Sequence, residues 1–158
     1  MRAAAASVDI TPPIGLPIGG NVRDDNISRG VHDNLNCDIV LLEDNNEKIC
    51  FLDFDLLALD YEICNFIKSE IIKKSDLKFE KIVITSSHTH SGPDICEFFK
   101  EEISKECMEY IRDIALKVSD RVSTMGEELR ESIVKISKNS VHDLSFNRRL
   151  VMKDGPMR

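Results

Sequence analysis

The heptapeptide His88-Thr89-His90-Ser91-Gly92-Pro93-Asp94 carries the densest chemistry in the chain. Two of the four histidines stand one residue apart in it, between hydroxyls and ahead of a Gly-Pro breaker. It follows closely on the apolar run Lys81-Ile82-Val83-Ile84-Thr85, which reads as a β-strand. Strand alternation would send His88 and His90 to one face, roughly 6.6 Å apart along the backbone. Neutral imidazole is the commonest side-chain metal ligand and titrates near neutrality. The pair therefore suits joint ligation of one ion, or a division of work between ion and substrate. Histidines that only pack have no reason to cluster at a strand end. The His-x-His-x-Asp-His pattern of other metallohydrolases does not apply, because Gly92 and Pro93 fill the places it gives to Asp and His.

The elements that must position this peptide read as α/β. Residues 3 to 10 form a candidate first strand, ended by Thr11-Pro12-Pro13, and the stretch to about 35 is rich in Gly, Pro, Asn and Asp. A loop of that length in a small domain points to function. Cys37 to Glu43 and Lys48 to Asp55 flank the short polar Asp44-Asn45-Asn46-Glu47, a β-hairpin pattern. Leu59, Ile63, Ile67 and Ile71 recur every four residues up to about Lys74, which predicts an amphipathic helix. Strand 48 to 55, that helix and strand 81 to 87 then make a β-α-β unit, whose crossover is right-handed and whose strands are parallel. Ligand sites in open α/β sheets lie beyond the carboxyl ends of parallel strands, so Asp55 and His88 are expected at one edge.

A second helix is predicted over about 97 to 125, with Ile103, Cys107, Ile111, Ile114, Val118 and Val122 as its apolar stripe and Gly126 as its stop. Its acidic residues, Glu106, Glu109, Asp113 and Asp120, read as a solvated face. Glu131 to Ser137 alternates enough to predict a half-buried strand. The expected fold is α/β: a mixed sheet with a β-α-β unit and flanking helices, one domain over 1–158, and an incomplete portion of a larger α/β catalytic domain.

The chain has 158 residues, 42% of them hydrophobic, enough for one core. Charged residues reach 31% with a net charge of -7, and Lys and Arg are scattered. Nucleic acid, which needs a clustered basic face, is thereby disfavoured as a partner. No run approaches the ~18 apolar residues of a transmembrane helix. The opening Met1 to Val8 is broken by Asp9 and Thr11-Pro12-Pro13 before a signal-peptide core can form. Five cysteines, Cys37, Cys50, Cys64, Cys96 and Cys107, are odd in number and irregularly spaced, and read as buried thiols in a reducing compartment. A cytoplasmic location is expected on those grounds.

The ordered set Ala6-Ser7-Val8-Asp9-Ile10-Thr11-Pro12, Pro17-Ile18-Gly19-Gly20, Arg29-Gly30-Val31-His32-Asp33, Thr85 to Pro93, and Ser145-Phe146-Asn147-Arg148-Arg149 resembles the amino-terminal part of the neutral/alkaline non-lysosomal ceramidases. Ser87 to Pro93 is its most specific block. The resemblance implies hydrolysis of the amide of N-acylsphingosine at a zinc ion, with a ceramide-like lipid or small amide as substrate. It implies that His88 is a zinc ligand, that His90 acts in catalysis and with His32 lines the substrate site, that Arg148 adds a polar contact, and that Gly20 permits close approach. Asn21 stands where many members carry an aromatic residue. The family's other zinc ligands, a second histidine, a glutamate and a tyrosine, together with an implicated serine, belong to regions beyond these residues. Here the zinc ligand set is therefore incomplete, and a missing carboxyl-terminal portion is expected.

Zinc suits amide hydrolysis because it activates water and polarises a carbonyl. His142 is expected to be an ordinary surface or strand-end histidine. Two other readings stand beside the ceramidase type: a noncatalytic α/β remnant or interaction module, and a metal-dependent hydrolase of a soluble amide or ester.

Overall fold

A computed structural model describes residues 1–20, 26–96 and 103–144. The order is β1 (Arg2–Asp9), β2 (Asn36–Asp44), β3 (Glu47–Phe54), α1 (Tyr61–Lys74), β4 (Ile82–Ser86), α2 (Lys105–Thr124) and β5 (Arg130–Glu131), with short 3-10 turns at Phe79–Lys81 and Met125–Glu128. The strands form one mixed sheet in the order β4-β3-β2-β1-β5. Among the described residues only the β3–β4 pair is parallel.

The hairpin β2–β3 closes on Asn45 and Asn46, with φ of 48° and 64°. Two central residues in the left-handed region match the twist of flanking strands, and asparagine tolerates that region better than most residues. Alternation then sends Cys37, Ile39 and Leu41 of β2, and Cys50, Leu52 and Phe54 of β3, into the core.

Helix α1 begins where the Asp60 side chain accepts a hydrogen bond from Ile63 N at 2.8 Å, and Lys73 and Lys74 complement its carboxyl end. Ile63, Ile67 and Ile71 are buried, and Leu59 packs against the same cluster, as the four-residue spacing predicts. Helix α2 is capped by Ser104 and buries Cys107, Ile111, Ile114, Val118 and Val122. Glu106, Glu109, Asp113 and Asp120 are exposed. The two helices lie together, joined at the surface by Lys74 to Asp120 at 2.6 Å. The buried Tyr110 hydroxyl donates to Ile10 O at 2.6 Å, tying α2 to the end of β1.

Three expectations are corrected. The second helix starts at Lys105, because Ser104 satisfies its first donors; residues 97–102 lie outside the described residues. Its stop is a tightening into the 3-10 turn, which contains Gly126, so no left-handed glycine ends it. The predicted strand 131 to 137 is reduced to Arg130–Glu131 on β1, since their partners are Arg2 and Ala3 and the strand runs off the sheet past Met1. Ile133, Val134 and Ile136 are exposed there at 83%, 58% and 93%. Among the described residues no helix is long and apolar enough to cross a membrane.

Candidate active site

β4 ends at Ser86, and Ser87 N donates to Phe54 O at 2.9 Å, holding the carboxyl ends of β3 and β4 together. The His-x-His peptide lies beyond that point. His88 has φ 61°, a left-handed backbone uncommon outside glycine. The two imidazoles do converge, but the cause is a loop reversal and not strand alternation. Their Nε2 atoms are 3.5 Å apart, with ring centroids at 5.1 Å and planes at 76°.

His88 Nδ1 lies 2.8 Å from Leu57 O. A carbonyl only accepts, so Nδ1 carries the hydrogen and Nε2 keeps its lone pair, the tautomer that a metal-ligating histidine adopts. Two nitrogens on one tetrahedral zinc, each about 2.0–2.1 Å from it, stand roughly 3.3 Å apart. The observed separation fits either one ion between the rings or one hydrogen donated from His90 to His88. A full zinc sphere needs more: among the described residues no group of three or more His, Cys, Asp or Glu is placed to hold a metal.

The long loop after β1 forms the wall of the site. Ile10 N donates to Leu35 O, and Leu35 N donates to Thr11 Oγ1, closing the loop's base. Its middle is stitched to the histidine loop by Gly19 N to Gly92 O at 3.0 Å and Asp94 N to Pro17 O at 2.7 Å. Gly20 sits at φ 87°, and a β-carbon there would meet His90 Cγ at 2.5 Å. The His90 ring thus rests on bare backbone. Between loop and histidines opens a cleft of about 600 Å³, with Ile14, Leu16, Ile18 and Val31 among its apolar lining and Thr11 and Ser28 among its polar lining.

His32 lines the same cleft as His90, at its open side, 97% exposed, with Nδ1 2.6 Å from Asp33 Oδ2. His90 and His32 therefore line one cleft, and His88 and Gly20 lie against the His90 ring. Arg148 lies outside the described residues. His142 is exposed. Asp55 does stand at the expected edge, but its carboxylate accepts from Asn36 N at 3.0 Å and closes the β2–β3 end. The orienting Leu57 carbonyl was missed, and no side-chain signal could have revealed a backbone acceptor.

The acid and thiol groups nearby are structural. Hydrogen bonds from Thr11 and, more weakly, Asn34 hold the Asp9 carboxyl below its ordinary range. Cys96 donates to Ala58 O at 2.8 Å, and burial pushes its thiol up to about 11. A raised pKa disfavours the thiolate that a cysteine nucleophile requires.

A partial α/β unit with a histidine pair at the carboxyl end of its parallel strands is the class this geometry defines. Two solved structures that share this fold are ceramidases. One is the neutral ceramidase from Pseudomonas aeruginosa, at TM-score 0.65 and 16% identity, covering 77% of this chain and 21% of that one. Another is a ceramidase solved in complex with C2, at TM-score 0.64 and 16% identity, covering 77% and 20%. The chain thus spans about a fifth of the length of the structures it matches. No family model matches it.

Proposed function

We propose that this chain forms part of a zinc-dependent hydrolase of the neutral ceramidase type, which cleaves the amide of an N-acyl lipid or a related amide. The observation that carries the reading is the convergence of the Nε2 atoms of His88 and of His90, which lines the cleft, with His88 held in the ligand tautomer by Leu57 O. The fold shared with solved ceramidases supports it. Bound zinc supplies Lewis acidity and water activation. His88 offers the Nε2 lone pair. His90, seated on Gly20, orients the attacking group by hydrogen bonding. His32 and Arg148 contact the polar part of the substrate, and the apolar cleft wall takes its hydrocarbon part. His88 is one of at least three protein ligands that a catalytic zinc needs, so the site is complete only with further ligands.

The test is elemental analysis and amidase assay on the 158-residue chain and on the longest natural product of its gene. The short chain is expected to lose zinc on dialysis. The longer product should keep it and hydrolyse a short-chain N-acyl substrate, with both properties lost in His88→Ala. Replacing His90 by Ala should slow turnover by roughly 10²- to 10⁴-fold and leave most of the metal. Stoichiometric zinc on the short chain would overturn the incomplete ligand set. Unchanged amidase activity in both variants would overturn the hydrolase assignment.

A further inference from the structure

Both helices cover one face of the sheet, and the opposite face is left bare among the described residues. Three cross-strand rows run over it. Ala3, Leu42 and Ile49 make the first; Ala5, Val40, Phe51 and Val83 make the second; Ser7, Asp38, Asp53 and Thr85 make the third. Val40 and Phe51 are each 40% exposed. Two adjoining apolar rows form a contiguous patch, unlike scattered surface residues, and such patches mark interaction sites.

The third row tells what chemistry covers it. Asp38 and Asp53 are directly opposite, a like-charge pair that the hydrogen bond from Thr85 Oγ1 to Asp53 Oδ1 at 2.6 Å eases only in part. A cation laid over them from a covering element relieves that repulsion. A second copy of this chain is the wrong occupant, since it brings a net charge of -7 and the same two carboxylates.

We infer that the bare face is a docking surface for an amphipathic polypeptide layer that presents apolar side chains to Val40 and Phe51 and a Lys or Arg to Asp38 and Asp53. This chain matches the solved ceramidases that share its fold over about a fifth of their length, so a domain of that type has polypeptide from which such a layer can come.

The test uses the full 158-residue chain and two labelled helical peptides of roughly 18 residues, one patterned from Leu and Lys, the other from Leu and Glu. Fluorescence anisotropy is expected to show the Leu-Lys peptide binding at least about tenfold tighter. Phe51→Ser and Val40→Thr, each checked for fold by circular dichroism, should weaken it by about tenfold. The double variant Asp38→Asn/Asp53→Asn should erase the preference between the peptides, while Ile136→Ser, on the exposed stretch after β5, should change nothing. Equal binding of the two peptides, or indifference to Phe51 and Val40, overturns the inference. So does a dimer in light scattering that Phe51→Ser dissolves, because a second copy would then be the occupant. Neither metal nor turnover enters these measurements, so their failure leaves the proposed hydrolase chemistry intact.

Discussion

Gly20 is occupied by its neighbour: the His90 ring fills the place where a β-carbon would stand, and the backbone is already at a φ that favours glycine. Gly20→Ala should therefore displace the His90 ring and spoil its approach to His88. The expected outcome is loss of the His88–His90 ring contact in NMR, with thermal stability lowered by about 1–2 kcal/mol from the left-handed alanine. An intact ring contact in that variant would show that His90 owes its place to something else. The same residue-scale logic supports the proposed division of roles within the pair. The His88 Nδ1 is committed to Leu57 O, so its Nε2 lone pair is available in any ionisation state that leaves the ring neutral.

The elements hold these residues through two kinds of anchor. Apolar anchors are the isoleucines of α1: Ile67 is fully buried against the sheet, and Ile67→Ala should cost about 2–5 kcal/mol by deletion and cavity formation. The polar anchor is Tyr110. Removing its hydroxyl in Tyr110→Phe leaves Ile10 O without its buried donor, at a cost of about 1–3 kcal/mol. Urea denaturation of both variants checks the order. Ile67→Ala acts on the whole sheet and should lower the midpoint more. Tyr110→Phe acts at the end of β1, where the cleft wall begins, and should raise hydrogen exchange most at Leu35, whose carbonyl and amide close that loop. Equal exchange at Leu35 in both would remove the link between α2 and the wall.

At the scale of the molecule, buried thiols set the alkaline limit. Burial pushes Cys50 up to about 12 and Cys96 up to about 11 from an ordinary 9.0, and raises Cys37 and the Tyr110 hydroxyl further still. Their folded pKa values lie above the unfolded ones, so the stability they contribute is complete below pH 9 and is lost as pH rises towards 11 to 12. Circular dichroism against pH should show a cooperative loss of structure in that window. A fold that persists through pH 12 would mean the thiols ionise in place. On the acid side Arg121 holds Glu128, and Lys48 holds Asp76, below their ordinary values, so that support is lost as pH falls through those lowered values. Both pairs are largely exposed, and their share is small.

The sequence by itself determined the elements with strong local periods. The hairpin on Asn45-Asn46, the isoleucine helix and the parallel β-α-β pairing follow from spacing, because burial of one face repeats every two or every four residues. Residue type and spacing also singled out His88 and His90, while His32, Gly20 and Arg148 came through the resemblance. What the sequence misjudged has causes that lie far along the chain. Glu131 to Ser137 alternates as a strand should, yet β1 supplies partners only to Arg130 and Glu131. His88 and His90 meet through a left-handed residue and a seat at Gly20, about seventy positions away in sequence, and not through the pleat of a strand. The Leu57 carbonyl that fixes the His88 tautomer has no signature in any side chain. Periodicity reports which face is buried, whereas convergence of a site depends on backbone groups and loop reversals that only the tertiary structure brings together.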